Sequence, residues 1–263
     1  MAEPTPTPIV LHHGLFGFGN FKLGPVAVSY FRGVDRALAE RGHPLIVPRV
    51  HPTGSIERRA GRLKAVIERE SAARGLDGRR VVVVAHSMGG LDARHMVTHL
   101  GMARRVAAIV TVSTPHRGSS YADWCLTHLC ERLGAFKVTD LLGLDVSAVN
   151  DLTRDACARF NAATPDAAGV RYYSVAAARP RHRVAPVFYH SHGVVTANEG
   201  ENDGLVSVAS AQWGECLGTW AADHLHVIGR RLAPELLEPV TGDIAPYYLR
   251  AMDRLAADGV VEP

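Results

Sequence analysis

The chain has 263 residues, 47% hydrophobic and 21% charged, which is long enough for one large α/β domain with a buried core. A formal charge of only +3, with arginines scattered rather than gathered in a stripe, gives no footprint for nucleic acid. No uninterrupted apolar run approaches the roughly 18 residues a membrane span requires, so no transmembrane segment is expected.

The first residues, "MAEPTPTPIV", are punctuated by proline and have neither a basic nor an apolar leader region. They read as a short disordered lead, in a chain that either stays in the cell or is the mature form of a secreted protein. A strand, "IVLHHG" (9–14), then enters the glycine-rich loop "LFGFGNFKLGP". Helical sequence through "YFRGVDRALAERG" closes on Gly42, and "PLIVPRV" (44–50) is a second strand. Ser55 caps a helix running to about Arg74, with Ile56, Leu63, Val66 and Ile67 on one face and Arg58, Arg59, Arg62 and Arg69 largely elsewhere. "RRVVVVAH" is the third strand, "SMGGLDARHMVTHLG" a helix stopping at Gly101, "VAAIVTVST" (106–114) the fourth strand and "VRYYSVAA" (170–177) the fifth. Apolar strands alternating with amphipathic helices predict a mostly parallel sheet covered on both faces, in a single domain over 1–263.

Two stretches interrupt the alternation. Residues 116–165 are far longer than one crossover helix needs. Within them "YADWCLTHLCERL" puts Tyr121, Trp124, Cys125 and Leu129 on one helical face, and "TDLLGLDVSAVNDLT" is a second leucine-rich piece. Such stripes fit either core packing or an apolar lid. The other stretch, 178–204, is a polar, glycine-containing insertion ending in "ENDGLV".

The chemistry centres on "VAHSMGG" (84–90). A serine hydroxyl becomes a nucleophile when a base takes its proton and fixed donors hold the developing oxyanion. A strained strand-to-helix turn flanked by small residues presents such a serine. Ser87 follows a valine strand and precedes Gly89 and Gly90 at a helix start, with Ala85 where the pattern usually has glycine. The loop after the first strand supplies one oxyanion N–H, assigned to Leu15, and Met88, next after the serine, supplies the other. An acid and a base follow in the order this arrangement uses: Asp203 in "NDGLVS", then His224 or His226 in "DHLHVIG".

Together "HGLFGF", "AHSMGGLDAR", "VSTPHRGS", "LTRDACARFN", "NDGLVS" and "DHLHVIG" resemble the successive landmarks of the bacterial true lipases, the Pseudomonas and Burkholderia type of triacylglycerol lipase within the α/β-hydrolases. The resemblance spans about residues 9–229. It implies an α/β-hydrolase fold, Ser87 as nucleophile, Asp203 as triad acid, His224 as base, Leu15 and Met88 at the oxyanion hole, and a lid at about 119–160. It also implies an ester or lipid substrate, with lipid-surface contact through the lid. The family's base stands in an H-x-D context whose aspartate helps hold calcium. Here that position is His226, and "RPRHRV" upstream lacks the second aspartate, so neither a calcium site nor any cofactor is expected. The paired histidines His190/His192 and His224/His226 have no companion ligand at zinc-like spacing. Four cysteines form no framework in a chain this long, though one disulfide stays open. Two other readings stand beside the lipase: a lid-bearing carboxylesterase or thioesterase, and a non-catalytic hydrolase-fold binding protein.

Overall fold

The computed structural model describes residues 6–17, 21–23, 26–133, 147–232 and 243–262. Six strands form one parallel sheet: β1 (Ile9–His12), β4 (Leu45–Ile46), β5 (Val81–His86), β6 (Val106–Val112), β7 (Arg171–Ala177) and β8 (Glu215–Trp220). Their order is β4-β1-β5-β6-β7-β8, so the longest apolar runs, β5 and β6, lie at the centre with every residue buried. A separate antiparallel hairpin pairs β2 (Phe21–Leu23) with β3 (Val26–Val28).

Alternation along the strands divides the core in two. Ile9, Leu11, Val82 and Val84 point to the face covered by α1 (Val34–Glu40) and the C-terminal helix Ala245–Ala257, meeting Phe31, Leu38, Tyr248 and Leu255. Val10, Val81, Val83 and Ala85 point to the other face, against α2 (Ile56–Ala73) and α3 (Gly89–His99) through Leu63, Ile67 and Met96. Ser55 starts α2 as read from sequence: its hydroxyl accepts the Arg58 N–H, and Glu57 sits in the positive first turn.

Some elements differ from expectation. The second strand shrinks from 44–50 to Leu45–Ile46, an edge position confined by Pro44 and Pro48, which have no N–H for a ladder. The sixth strand, β8, is not apparent in sequence because it lies at the opposite edge, half-exposed and interrupted by Gly218. The 178–204 stretch holds a full helix, Tyr189–Glu199, after two short 3₁₀ turns at Arg181–Arg183 and Pro186–Phe188.

Between β6 and β7 stand α4 (Ser120–Leu133), α5 (Ser147–Asp151) and α6 (Arg154–Ala163). Leu141, Leu142 and Leu144, and the side chain of Leu129, lie outside the described residues. The Tyr189–Glu199 helix, α7, packs against α4, where the Trp124 ring stacks on His128 at 4.1 Å and meets His190 at 4.4 Å. Among the described residues no helix is long and apolar enough to cross a membrane.

Candidate active site

Ser87 sits at the tip of β5 with φ of 55°, a conformation that costs an L-residue energy and is held here from both sides. Its N–H donates to Val112 O at 2.9 Å, and its carbonyl accepts the Thr114 hydroxyl at 2.7 Å. The small neighbours have steric reasons. A Cβ on Gly90 would stand 2.3 Å from Thr114 Oγ1, and one on Gly89 would stand 2.9 Å from His13 O. Ala85 is fully buried, and its one methyl packs into the core on the α2–α3 side without displacing the turn.

The structure brings Ser87, Asp203 and His224 together. His224 Nε2 is 3.1 Å from Ser87 Oγ, and its Nδ1 is 2.8 Å from Asp203 Oδ2. Asp203 is fully buried; its Oδ1 accepts the N–H groups of Leu205 and Val206, and its carbonyl accepts the His224 N–H at 2.9 Å. His226 is placed otherwise. It starts a 3₁₀ turn (His226–Ile228), neither ring nitrogen has a hydrogen-bond partner among the described residues, and burial, with Arg179 and Arg231 nearby, pushes it down to about 4. Of the two histidines that the sequence offers, only His224 reaches the serine.

The loop after β1 runs beside the turn. A Cβ on Gly14 would lie 2.7 Å from Ser87 Cβ, so only glycine lets this backbone come so close. Among the described residues the N–H groups of Leu15 and Met88 have no intramolecular acceptor, while the neighbouring Gly14 N–H donates to Tyr30 Oη and Phe16 N–H to Pro52 O. Beneath the loop lies a charged group that sequence periodicity misplaced. Arg59 is fully buried rather than on the polar face of α2. It donates to Asp92 through Nε at 2.9 Å, to His51 O at 2.8 Å and to His13 O at 2.8 Å, while His12 Nε2 meets the same Asp92 oxygen at 2.8 Å. Three chain segments are thereby fixed to α3 behind the Leu15 peptide. The partners are distant in sequence or are main-chain atoms, so no local signal marks Arg59.

A row of rings passes behind the site. Centroids separate His13 from Tyr30 by 5.7 Å, Tyr30 from His86 by 5.8 Å and His86 from His224 by 4.6 Å, with Phe188 6.2 Å beyond and edge-on. Tyr30 Oη is 2.8 Å from His86 Nδ1. Burial drives His86 well below the ordinary imidazole range, with the nearby His224 adding to it, and burial takes His13 down to about 3.

Ser87 and His224 open into a cavity of about 530 Å³ walled mostly by apolar side chains, among them Leu15, Val149, Leu152, Val187, Leu205 and Ile228. Tyr121 and Cys125 of α4 face it, whereas Trp124 packs on α7 instead, so the helical stripe read from sequence divides between the two. Phe16, Val187 and Leu232, the large hydrophobic residues most exposed among those described, all line this cavity. No group of three or more metal-ligating side chains occurs among the described residues, and Cys125, Cys157 and Cys216 are free thiols.

A family model described as a PGAP1-like alpha/beta domain matches residues 56–166. Triacylglycerol lipase 2 of Saccharomyces cerevisiae is 30% identical over 312 residues, spanning 98% of this chain and 93% of the yeast protein. The chain belongs to the α/β-hydrolase lipases. A triacylglycerol lipase of Pseudomonas fragi is also 30% identical, over 85% of this chain and 88% of its own length. Among solved structures, the metagenomic carboxyl esterase MGS0156 is similar at 25% identity with a TM-score of 0.72, covering 97% of this chain and 76% of that one. Bacillus licheniformis lipase BlEst2 in mature form shares the fold at TM-score 0.70 and 23% identity, covering 96% and 94% of the two chains. This member of the lipases is therefore a lipolytic hydrolase of carboxylic esters, class EC 3.1.1.

Proposed function

We propose that the chain is a serine lipase acting on acylglycerols through Ser87, His224 and Asp203, with residues 1–263 as one α/β-hydrolase domain and about 119–160 as its lid. The observation that carries this reading is the unbroken Ser87–His224–Asp203 contact, 3.1 Å and 2.8 Å long, at the floor of an apolar cavity. His224 Nε2 takes the proton as Ser87 Oγ bonds to the ester carbonyl carbon. Asp203 orients the ring and stabilises the imidazolium. The N–H groups of Leu15 and Met88, with no acceptor among the described residues, hold the tetrahedral oxyanion. Collapse expels the alcohol, which receives the proton from His224. Water, deprotonated by the same ring, then attacks the acyl-enzyme, and the carboxylic acid leaves. Pseudomonas and Burkholderia lipases lend the lid and the order of roles by resemblance; the calcium that they hold has no carboxylate at His226 to receive it, and turnover proceeds without it.

The apolar wall and its exposed rim of Phe16, Val187 and Leu232 favour long acyl chains over small soluble esters. Hydrolysis of p-nitrophenyl esters of increasing chain length, and of an emulsified triacylglycerol, tests the substrate class. Rates rising with chain length and at the emulsion support the lipase. A maximum at acetate with no emulsion activity transfers the site to the carboxylesterase reading, consistent with the similarity to a carboxyl esterase. Absence of a Ser87 adduct with a fluorophosphonate in folded protein would leave only a binding protein.

A further inference from the structure

Asp223 precedes His224 in the chain and is buried, yet among the described residues no cation forms an ion pair with it. Its oxygens instead accept three main-chain N–H groups. Oδ1 takes those of Leu225 at 3.0 Å and His226 at 2.8 Å, closing the turn that carries His224. Oδ2 takes that of Ala185 at 2.9 Å, on a different segment. That segment continues into the Pro186–Phe188 turn, whose Val187 and Phe188 line the cavity, and the Phe188 ring stands edge-on to the His224 imidazole. One carboxylate therefore joins the turn of the base to the wall of the substrate cavity.

The chemistry of the group matters. Three donors converge from two segments on two oxygens, and only a carboxylate has acceptors on both sides. An amide in its place keeps one oxygen and aims its NH2 at a main-chain N–H, leaving a buried donor unmade.

We propose that Asp223 is a positioning residue for ester hydrolysis, locking the turn that carries His224 to the Ala185–Phe188 wall so that the imidazole keeps its setting toward both Ser87 and the bound acyl chain. This rests on His224 being the base. His224 is faced by Ser87, Asp203, His86 and Phe188, and Asp223 is the charged residue next to it in the chain.

Two variants of the full chain test it, with kcat counted per site titrated by a fluorophosphonate, KM for a soluble p-nitrophenyl ester and a thermal melt. Asp223→Asn lowers kcat per titrated site by about 10- to 100-fold, as small displacements of a reacting group do. Ala185→Pro removes the third donor and sets the proline Cδ against Asp223 Oδ2, so the carboxylate must withdraw from this wall; the backbone itself is unstrained, because Ala185 has φ of −56°. It lowers kcat by about 5-fold or more while KM changes less. A purely structural role predicts a lower melting temperature with kcat per titrated site and KM unmoved, and that result in either folded variant overturns the proposal. Should Asp223→Asn not fold, Ala185→Pro decides alone. Activity surviving in His224→Ala would instead remove the mechanism on which the proposal depends.

Discussion

Gly14 offers the sharpest test of how closely the loop after β1 must approach the serine. Its φ lies outside the left-handed region, so alanine brings no backbone penalty and any effect is steric. The added Cβ would sit 2.7 Å from Ser87 Cβ, 3.0 Å from His86 O and 3.3 Å from Ser87 Oγ, where ordinary contact begins at 3.4 Å. Either the loop or the serine must yield by about 0.7 Å. The serine is held by Val112 O and Thr114, so the loop moves, and with it the Leu15 N–H. A misplacement of about 1 Å costs on the order of 100-fold, so Gly14→Ala should lose about 30- to 100-fold in kcat, or about 2–3 kcal/mol of transition-state stabilisation. If that donor acts on the oxyanion rather than the ground state, as proposed, KM should stay within about threefold. Steady-state kinetics on p-nitrophenyl butyrate with active-site titration gives the answer. Gly61→Ala on α2, where a Cβ meets nothing within 4 Å, is the control: unchanged kcat and a gain of up to about 1 kcal/mol in stability. A folded Gly14→Ala enzyme with kcat within about threefold of the parent would refute the reasoning.

Three further outcomes follow from the same geometry. His224→Ala should reduce kcat by several thousandfold or more, and Ser87→Ala by about 10⁶, whereas His226→Gln retains activity within about tenfold, measured on one soluble ester. Asp92→Ala leaves the Arg59 guanidinium buried without its carboxylate and should cost about 3–5 kcal/mol in urea unfolding. Stability should also fall with acid. His13 and His226 are held neutral down to about 3 and about 4, while the unfolded chain protonates its imidazoles near 6.5. A histidine lowered in the folded state contributes fully above 6.5, and this contribution is lost as pH falls toward the folded value, by about 1.4 kcal/mol per pH unit for each. Melting temperatures flat between pH 6.5 and 4.5 would contradict that account.

What sequence reveals here depends on whether the physics is local. β5 and β6 are legible because central parallel strands are apolar on both faces, and Ser87 because strand, turn and glycines all fall within ten residues. β8 is illegible for the opposite reason: an edge strand needs no apolar run, and "ECLGTW" shows none. The choice of His224 over His226 came from register with a known motif, since both are buried histidines two residues apart. Arg59 defied helical periodicity because its partner, Asp92, is on another helix. Asp223 left no trace because all three groups that it binds are main-chain N–H, which every non-proline residue carries.

The row of rings from His13 to His224 limits how much positive charge the site can store. Two imidazolium ions 4.6 Å apart would repel by about 4 kcal/mol at an effective dielectric of 20, before the cost of burying the second. His86 is therefore an insulator beside the proposed base. It fills space against His224 without offering a second resting place for a proton, and its Nδ1 meets the Tyr30 hydroxyl at 2.8 Å. In the proposed mechanism the proton that His224 takes from Ser87 therefore passes to the departing alcohol rather than to His86.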